Sequence, residues 1–75
     1  MDRIRQLETF VQVTESGNFT RAAAALGVPR STVSTVIQAL EDRLGTQLLR
    51  RSTRSMVLTD DGQRFLKRAR ELIDA

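Results

Sequence analysis

Three residues, Gly27-Val28-Pro29, separate two stretches that each read as helix, and so short a break sets the two helices at a steep angle. The segment before the break starts near Phe19 or Thr20, with Asn18 or Thr20 as its N-cap, and runs through four consecutive alanines, Ala22 to Ala25. Alanine has the highest helix propensity and almost no bulk, so this helix can approach a neighbour closely. Proline is favoured in the first turn of a helix, so the segment after the break starts at Pro29 or Arg30 and continues to Leu44, with Gly45 as its C-cap. Val33, Ile37, Leu40 and Leu44 form one apolar stripe along it, with Val36 lying beside that stripe. Arg30, Ser31, Thr32, Ser34, Thr35 and Gln38 occupy its other faces, and acids come only in its last turns, at Glu41 and Asp42.

The rest of the chain supplies elements on either side of this pair. Residues 2 to 15 read as a helix whose apolar face carries Ile4, Leu7, Phe10, Val11 and Val13, ended by Gly17. Two short strand-like runs, 48 to 51 and 56 to 58, flank the polar Ser52-Thr53-Arg54-Ser55, which predicts a β-hairpin with a basic tip. Thr59 then caps a last helix, and Asp60 and Asp61 suit its positive end. That helix places Phe65, Leu66, Ala69, Leu72 and Ile73 at a spacing similar to a heptad seam. The sum is mainly α, a winged helix-turn-helix with a three-helix core and a two-stranded β-hairpin wing, filling residues 1 to 58. Residues 59 to 75 begin a further helix.

At 75 residues there is room for one domain. The chain has no cysteine and no histidine. That removes disulfides, thiolate metal sites, the usual general base and every Ser-His or Cys-His pair. No metal or cofactor is expected, and an enzyme is the weakest class; Ser34 has no partner to activate it. No apolar run approaches the roughly 18 residues of a membrane span, and no apolar segment follows Arg3 and Arg5 as a secretory signal requires. A cytoplasmic protein with no membrane partner is therefore expected.

Charge points to a partner. The net charge is +3, and eleven of the twelve basic residues are arginine. The ends are near neutral, while residues 16 to 59 hold six arginines against Glu41 and Asp42 alone. Arginine favours bidentate contact with phosphate or guanine, so the centre suits a polyanion. A helix fits the major groove of double-stranded DNA, and the N-terminal residues of the third helix would lead. Arg30 can reach guanine, while Ser31, Thr32, Ser34 and Thr35 are short donors and acceptors for phosphates or base edges. Gln38 reaches further in. The helix starts near Thr20 and Arg30 offer backbone N–H groups to phosphates, and Thr20 and Arg21 count among the DNA contacts. The hairpin, with Arg50, Arg51, Thr53 and Arg54, is placed along the backbone or in the adjacent minor groove.

These residues carry a resemblance. Leu7, Phe10, Val13, Gly17-Asn18-Phe19-Thr20-Arg21-Ala22-Ala23, Leu26, Val33-Ser34, Ile37, Leu40-Glu41, Leu44-Gly45, Leu48, Arg51, Leu58-Thr59 and Gly62 resemble the N-terminal DNA-binding domain of LysR-type transcriptional regulators. The resemblance covers essentially the whole chain and implies a bacterial cytoplasmic regulator. It also implies that the last helix is a linker helix pairing two domains into a homodimer. A C-terminal domain that binds a small-molecule effector normally follows; it is absent here, so the chain is expected to be a fragment of a longer protein. The chain departs from the family at Pro29-Arg30-Ser31, at Thr35 where Arg or Lys is frequent, and at Leu49 where Phe is frequent. The first two departures lie on the reading surface and bear on which bases are preferred.

The leading expectation is thus a dimer on an inverted-repeat DNA site, with Phe65, Leu66, Ala69, Leu72 and Ile73 as the dimer seam. The same residues packing within the monomer is the alternative for the seam. A winged helix that binds proteins and not DNA is the alternative for the function, against which stand the basic hairpin and the missing acids at the start of the third helix.

Overall fold

Helix α1 spans Arg3–Ser16 and begins where the Asp2 carboxylate accepts the amide of Ile4 at 3.1 Å. The computed structural model describes residues 2–51 and 56–74. Helices α2 (Phe19–Leu26), α3 (Arg30–Leu44) and α4 (Asp60–Asp74) follow, with the strands β1 (Leu49–Arg51) and β2 (Met56–Leu58) between α3 and α4. The four helices and the hairpin thus match the predicted winged helix-turn-helix in order and kind.

Helices α1, α2 and α3 close around Phe10, Val13, Phe19, Ala22, Val33, Ile37 and Leu40. The alanine run divides by face: Ala22 and Ala23 are buried, Ala24 and Ala25 are exposed. Between α2 and α3 the chain turns at Gly27, whose φ of 70° lies in the left-handed region that side chains with a Cβ avoid. The amides of Gly27 and Val28 return to the carbonyls of Ala24 and Ala23, which closes the end of α2.

The apolar faces differ from expectation in two places. On α1, Ile4 is 55% exposed, while Gln6 and Thr9 are buried beside Leu7, Phe10 and Val13. Gln6 tolerates burial because its carbonyl oxygen accepts from Arg43 Nε at 3.0 Å, a bond that ties α1 to the far end of α3. On α3, Val36 is buried and Leu44 is 37% exposed. The buried positions Val33, Val36, Ile37 and Leu40 follow the i, i+3, i+4, i+7 pattern of a helix against a core, and by Leu44 the helix has run past it.

The hairpin is antiparallel, with Leu49 opposite Leu58, Arg50 opposite Val57 and Arg51 opposite Met56. Side chains alternate across a strand, so Leu49 and Leu58 turn to the core while Arg50 and Val57 face outward. Thr59 joins the hairpin to α4. Its amide donates to the Leu48 carbonyl at 3.0 Å, its hydroxyl donates to the Gln47 carbonyl at 2.7 Å, and the same oxygen caps α4 by accepting from the Gly62 amide at 2.9 Å. Beside it, the Asp61 carboxylate accepts from the Thr46 hydroxyl at 2.8 Å and from Arg64 at 2.6 Å. These bonds to the charged form hold the Asp61 carboxyl below the usual carboxylate range, the Thr46 hydroxyl contributing most.

Gly62 packs directly on the root of the hairpin. A Cβ there would collide with the Leu48 carbonyl oxygen and press on the Leu58 side chain. Alanine gains about 1 kcal/mol in helix propensity over glycine, but overpacking against backbone costs about 1–3 kcal/mol. Gly62→Ala is therefore expected to lower the urea midpoint of unfolding with an unchanged slope; an equal or higher midpoint would mean that the hairpin root yields to the methyl group.

Candidate nucleic-acid interface

The outward side of α3 is a single stripe. Ser31, Thr35 and Gln38 are exposed and fall at i, i+4 and i+7, opposite the buried residues of the helix. Arg30 is also exposed, and its guanidinium lies 5.9 Å from the centroid of the Phe19 ring, which holds it beside the start of α2. Thr32 and Ser34 flank the stripe and are half-buried. Thr32 borders a cleft of about 190 Å³ between α1 and α3, with Arg5, Glu8 and Val28. The predicted contact set thus separates into an outward group, Arg30, Ser31, Thr35 and Gln38, and a flanking pair.

The two helix starts are not equivalent. At α2 the cap is Asn18, and its side chain accepts the Arg21 amide at 2.7 Å; Thr20 and Arg21 are exposed, but that amide is taken. At α3 the cap position is Pro29, and no side chain caps the helix. The amides of Thr32 and Val33 bond to the Pro29 carbonyl, so the backbone just before them, at Arg30 and Ser31, is the end that points its N–H groups outward. A helix N-terminus of this kind favours anions through both its N–H groups and its dipole.

In the hairpin, Arg50 is exposed and sits across from Val57, which is 59% exposed. Arg51 belongs to β1; its side chain, Thr53 and Arg54 lie outside the described residues.

The sequence reading missed a residue that holds these parts together. Glu41, in the last turns of α3, accepts the amides of Leu48 and Leu49 with one carboxylate oxygen, at 2.7 and 3.2 Å. Its own carbonyl also accepts the amides of Gly45 and Thr46. One residue therefore closes the end of α3 and fixes where the hairpin leaves it. The signal in the sequence was an acid eight residues before the first strand; the resemblance includes Glu41, but spacing alone does not tell its role from that of a solvated acid.

Helix α4 lies along α1. The rings of Phe10 and Phe65 meet edge to face, with centroids 5.5 Å apart, and Ala69 is fully buried. Leu66 packs partly against the core. Leu72 and Ile73, 65% and 38% exposed, stay outside it. The five residues of the expected seam thus divide into three that the monomer engages and two that it leaves in solvent.

Residues 4–63 match the profile of the bacterial regulatory helix-turn-helix proteins of the lysR family. The chain belongs to this family. It is 44% identical over 73 residues to an HTH-type transcriptional repressor of Pseudomonas aeruginosa and 44% identical over 68 residues to the HTH-type transcriptional regulator CrgA of Neisseria meningitidis. Those alignments cover 97% and 91% of the chain but 23% of each relative, so the chain spans about a quarter of the regulators it resembles. Among solved LysR-family structures, the DNA-binding domain of CbnR in complex with DNA superposes with a TM-score of 0.92 at 42% identity, over 99% of this chain and 84% of that one. The DNA-binding domain of BenM on catB site 1 DNA superposes with a TM-score of 0.93 at 39% identity, over 99% and 82%. The likeness extends over all four helices and the hairpin.

Removing the Glu41 carboxylate leaves two backbone donors unpaired, one of them on a residue that is 1% exposed. Hydrogen bonds to a charged group contribute about 1.5–3 kcal/mol. Glu41→Ala is expected to destabilise the chain by about that much and to speed amide hydrogen exchange at Leu48 and Leu49 ahead of the rest of the core. Glu41→Gln, which keeps one acceptor, should fall between; unchanged exchange in Glu41→Ala would show that the strand pairing alone holds the hairpin.

Proposed function

We propose that the chain is the part of a bacterial LysR-family transcription regulator that reads double-stranded DNA. The observation that carries this reading is the outward stripe of α3, which starts at a helix N-terminus no side chain caps, beside Arg30, and continues through Ser31, Thr35 and Gln38. A helix presented this way fits the major groove, with its first residues at the base edges. Thr20 and Arg21 at the start of α2, together with Thr32 and Ser34, flank the groove and meet phosphates. Arg50, Arg51, Thr53 and Arg54 place the wing on the backbone or in the minor groove. Two relatives with the same fold were solved on DNA, which supports the same use of this one.

The seam reading is proposed in a narrower form. Phe65, Leu66 and Ala69 hold α4 on the core, and the exposed Leu72 and Ile73 extend the same helix as the contact for a second copy. A homodimer of this kind suits an inverted-repeat site. Residues 1 to 58 act as the reading domain, and 59 to 75 as the start of the helix that joins it to the remainder of a longer regulator. An effector would act through that remainder. The chain itself is read as a cytoplasmic binding module without a cofactor or catalytic role; no helix among the described residues is long and apolar enough to cross a membrane.

Salt dependence tests the first reading against a protein-binding winged helix. About four phosphate contacts per domain give a hundredfold loss of affinity for duplex DNA, roughly, between 50 and 200 mM salt. A protein-binding module would show no such binding. For the seam, sedimentation of the chain at tens of micromolar should show dimers that Leu72→Asp with Ile73→Asp converts to monomers. A monomer before substitution would show that α4 does not pair two copies at this length.

A further inference from the structure

The outward stripe of α3 does not end at Gln38. The next position on the same face is Asp42, four residues on, and it too is exposed. Gln38 Nε2 donates to Asp42 Oδ1 at 3.0 Å. We propose that Asp42 sets base preference by fixing the orientation of the Gln38 amide, so that Gln38 selects adenine. The proposal deepens the DNA-binding reading above and rests on it.

A carboxylate only accepts hydrogen bonds, whereas the two ends of a glutamine amide differ: the nitrogen donates twice and the oxygen accepts. Beside Asp42, only the nitrogen end can turn toward the carboxylate. One N–H is thereby committed, which leaves the carbonyl oxygen and one N–H for the groove. That remaining pair is one acceptor beside one donor. In the major groove adenine presents the complement, the N6 amine as donor and N7 as acceptor. Cytosine offers its N4 amine alone and satisfies only the oxygen. Guanine presents two acceptors, O6 and N7, and thymine presents O4. Against these the Gln38 oxygen has no partner, and an amide flipped to donate from its nitrogen would turn its oxygen onto Asp42.

Two further observations bear on the pair of Gln38 and Asp42. Among the described residues Asp42 forms no ion pair, so no cation among them competes with Gln38 for it. Arg43, the adjacent basic residue, is directed to Gln6 on α1. The pair also borders an open groove of about 490 Å³ beside Gly45 and Gln47 at the root of the hairpin, so the edge of a duplex has access to it.

The test is selection of bound duplexes from a random library by the unsubstituted chain and by D42A, D42N and Q38A, each first checked for native helicity. The unsubstituted chain should select adenine at one position per half-site, about tenfold over guanine, the size of one base discrimination in such sites. D42A frees the amide to flip, and D42N, which has the same shape as Asp42 but both donor and acceptor ends, no longer fixes it. Both should cut the discrimination against guanine at that position to about threefold or less and leave the other positions unchanged. Q38A should erase the preference there. A preference that survives Q38A, or an unchanged profile in D42A and D42N, overturns the proposal, even if D42A raises affinity evenly through its lost charge. If the unsubstituted chain selects no sequence at all, the DNA-reading role itself fails and takes this inference with it.

Discussion

The backbone of Leu48 is the point on which the geometry of this domain depends. Its amide is held by Glu41 from α3, its carbonyl accepts the amide of Thr59 ahead of α4, and Gly62 rests on that carbonyl. Its side chain is fully enclosed by the core. Helix α3, the hairpin and α4 are thereby fixed to one residue by contacts of three kinds: a charge-assisted bond, a backbone bond and a close approach. A domain of this size buries only about 60% of the surface its unfolded chain exposes, so apolar packing alone leaves little margin for holding a two-stranded hairpin in place. The polar contacts at Leu48 supply what three paired residues cannot.

What was legible in the sequence was the part governed by local rules. Helix periodicity, the turn at Gly27, the cap at Thr59 and the two strand runs each depend on residues within a few positions of one another. The relations that cross elements were hidden for the same reason. Gln6 and Thr9 read as polar positions on α1 until Arg43, 37 residues away, supplies Gln6 with a partner. Val36 and Leu44 exchange places between core and surface because a stripe drawn on one helix says nothing about where its neighbour ends. Of the contact set, the exposure of Arg30, Ser31, Thr35 and Gln38 follows from the periodicity of α3. The taking of the Arg21 amide by Asn18 required knowing which of two candidates, Asn18 or Thr20, caps the helix.

Helix α4 shows how one amphipathic pattern serves two faces. A seam of five apolar residues in sequence is ambiguous between core and partner, since both want the same spacing. The structure divides it along the helix: the middle turns Phe65 and Ala69 into the monomer, and the last turn leaves Leu72 and Ile73 exposed. The division has a mechanical consequence. Because Thr59 and Asp61 fix the start of α4 to the hairpin root while Phe65 and Ala69 fix its middle to α1, the exposed end has little freedom to swing. A second copy docked there would inherit the orientation of the first reading helix through rigid contacts and not through a linker. The spacing of two half-sites would then be set by the same bonds that hold the hairpin.

The chemistry along α3 changes from one end to the other, and this constrains how the helix can lie against DNA. Its start has Arg30, open amides and the positive end of the helix dipole, all of which attract phosphate or guanine acceptors. Its later turns carry Gln38 and Asp42 outward, with Glu41 directed to the hairpin, and the carboxylate of Asp42 repels phosphate. From Ser31 to Asp42 the rise is roughly 16 Å at 1.5 Å per residue, more than the major groove's width of about 12 Å. A helix lying straight across the groove would bring Asp42 onto the far strand's phosphates. The charge gradient therefore favours a helix that enters the groove by its N-terminus and rises out of it. In that pose Asp42 stands clear of the phosphates and still reaches Gln38, so the acid costs little affinity while it orders the side chain beside it.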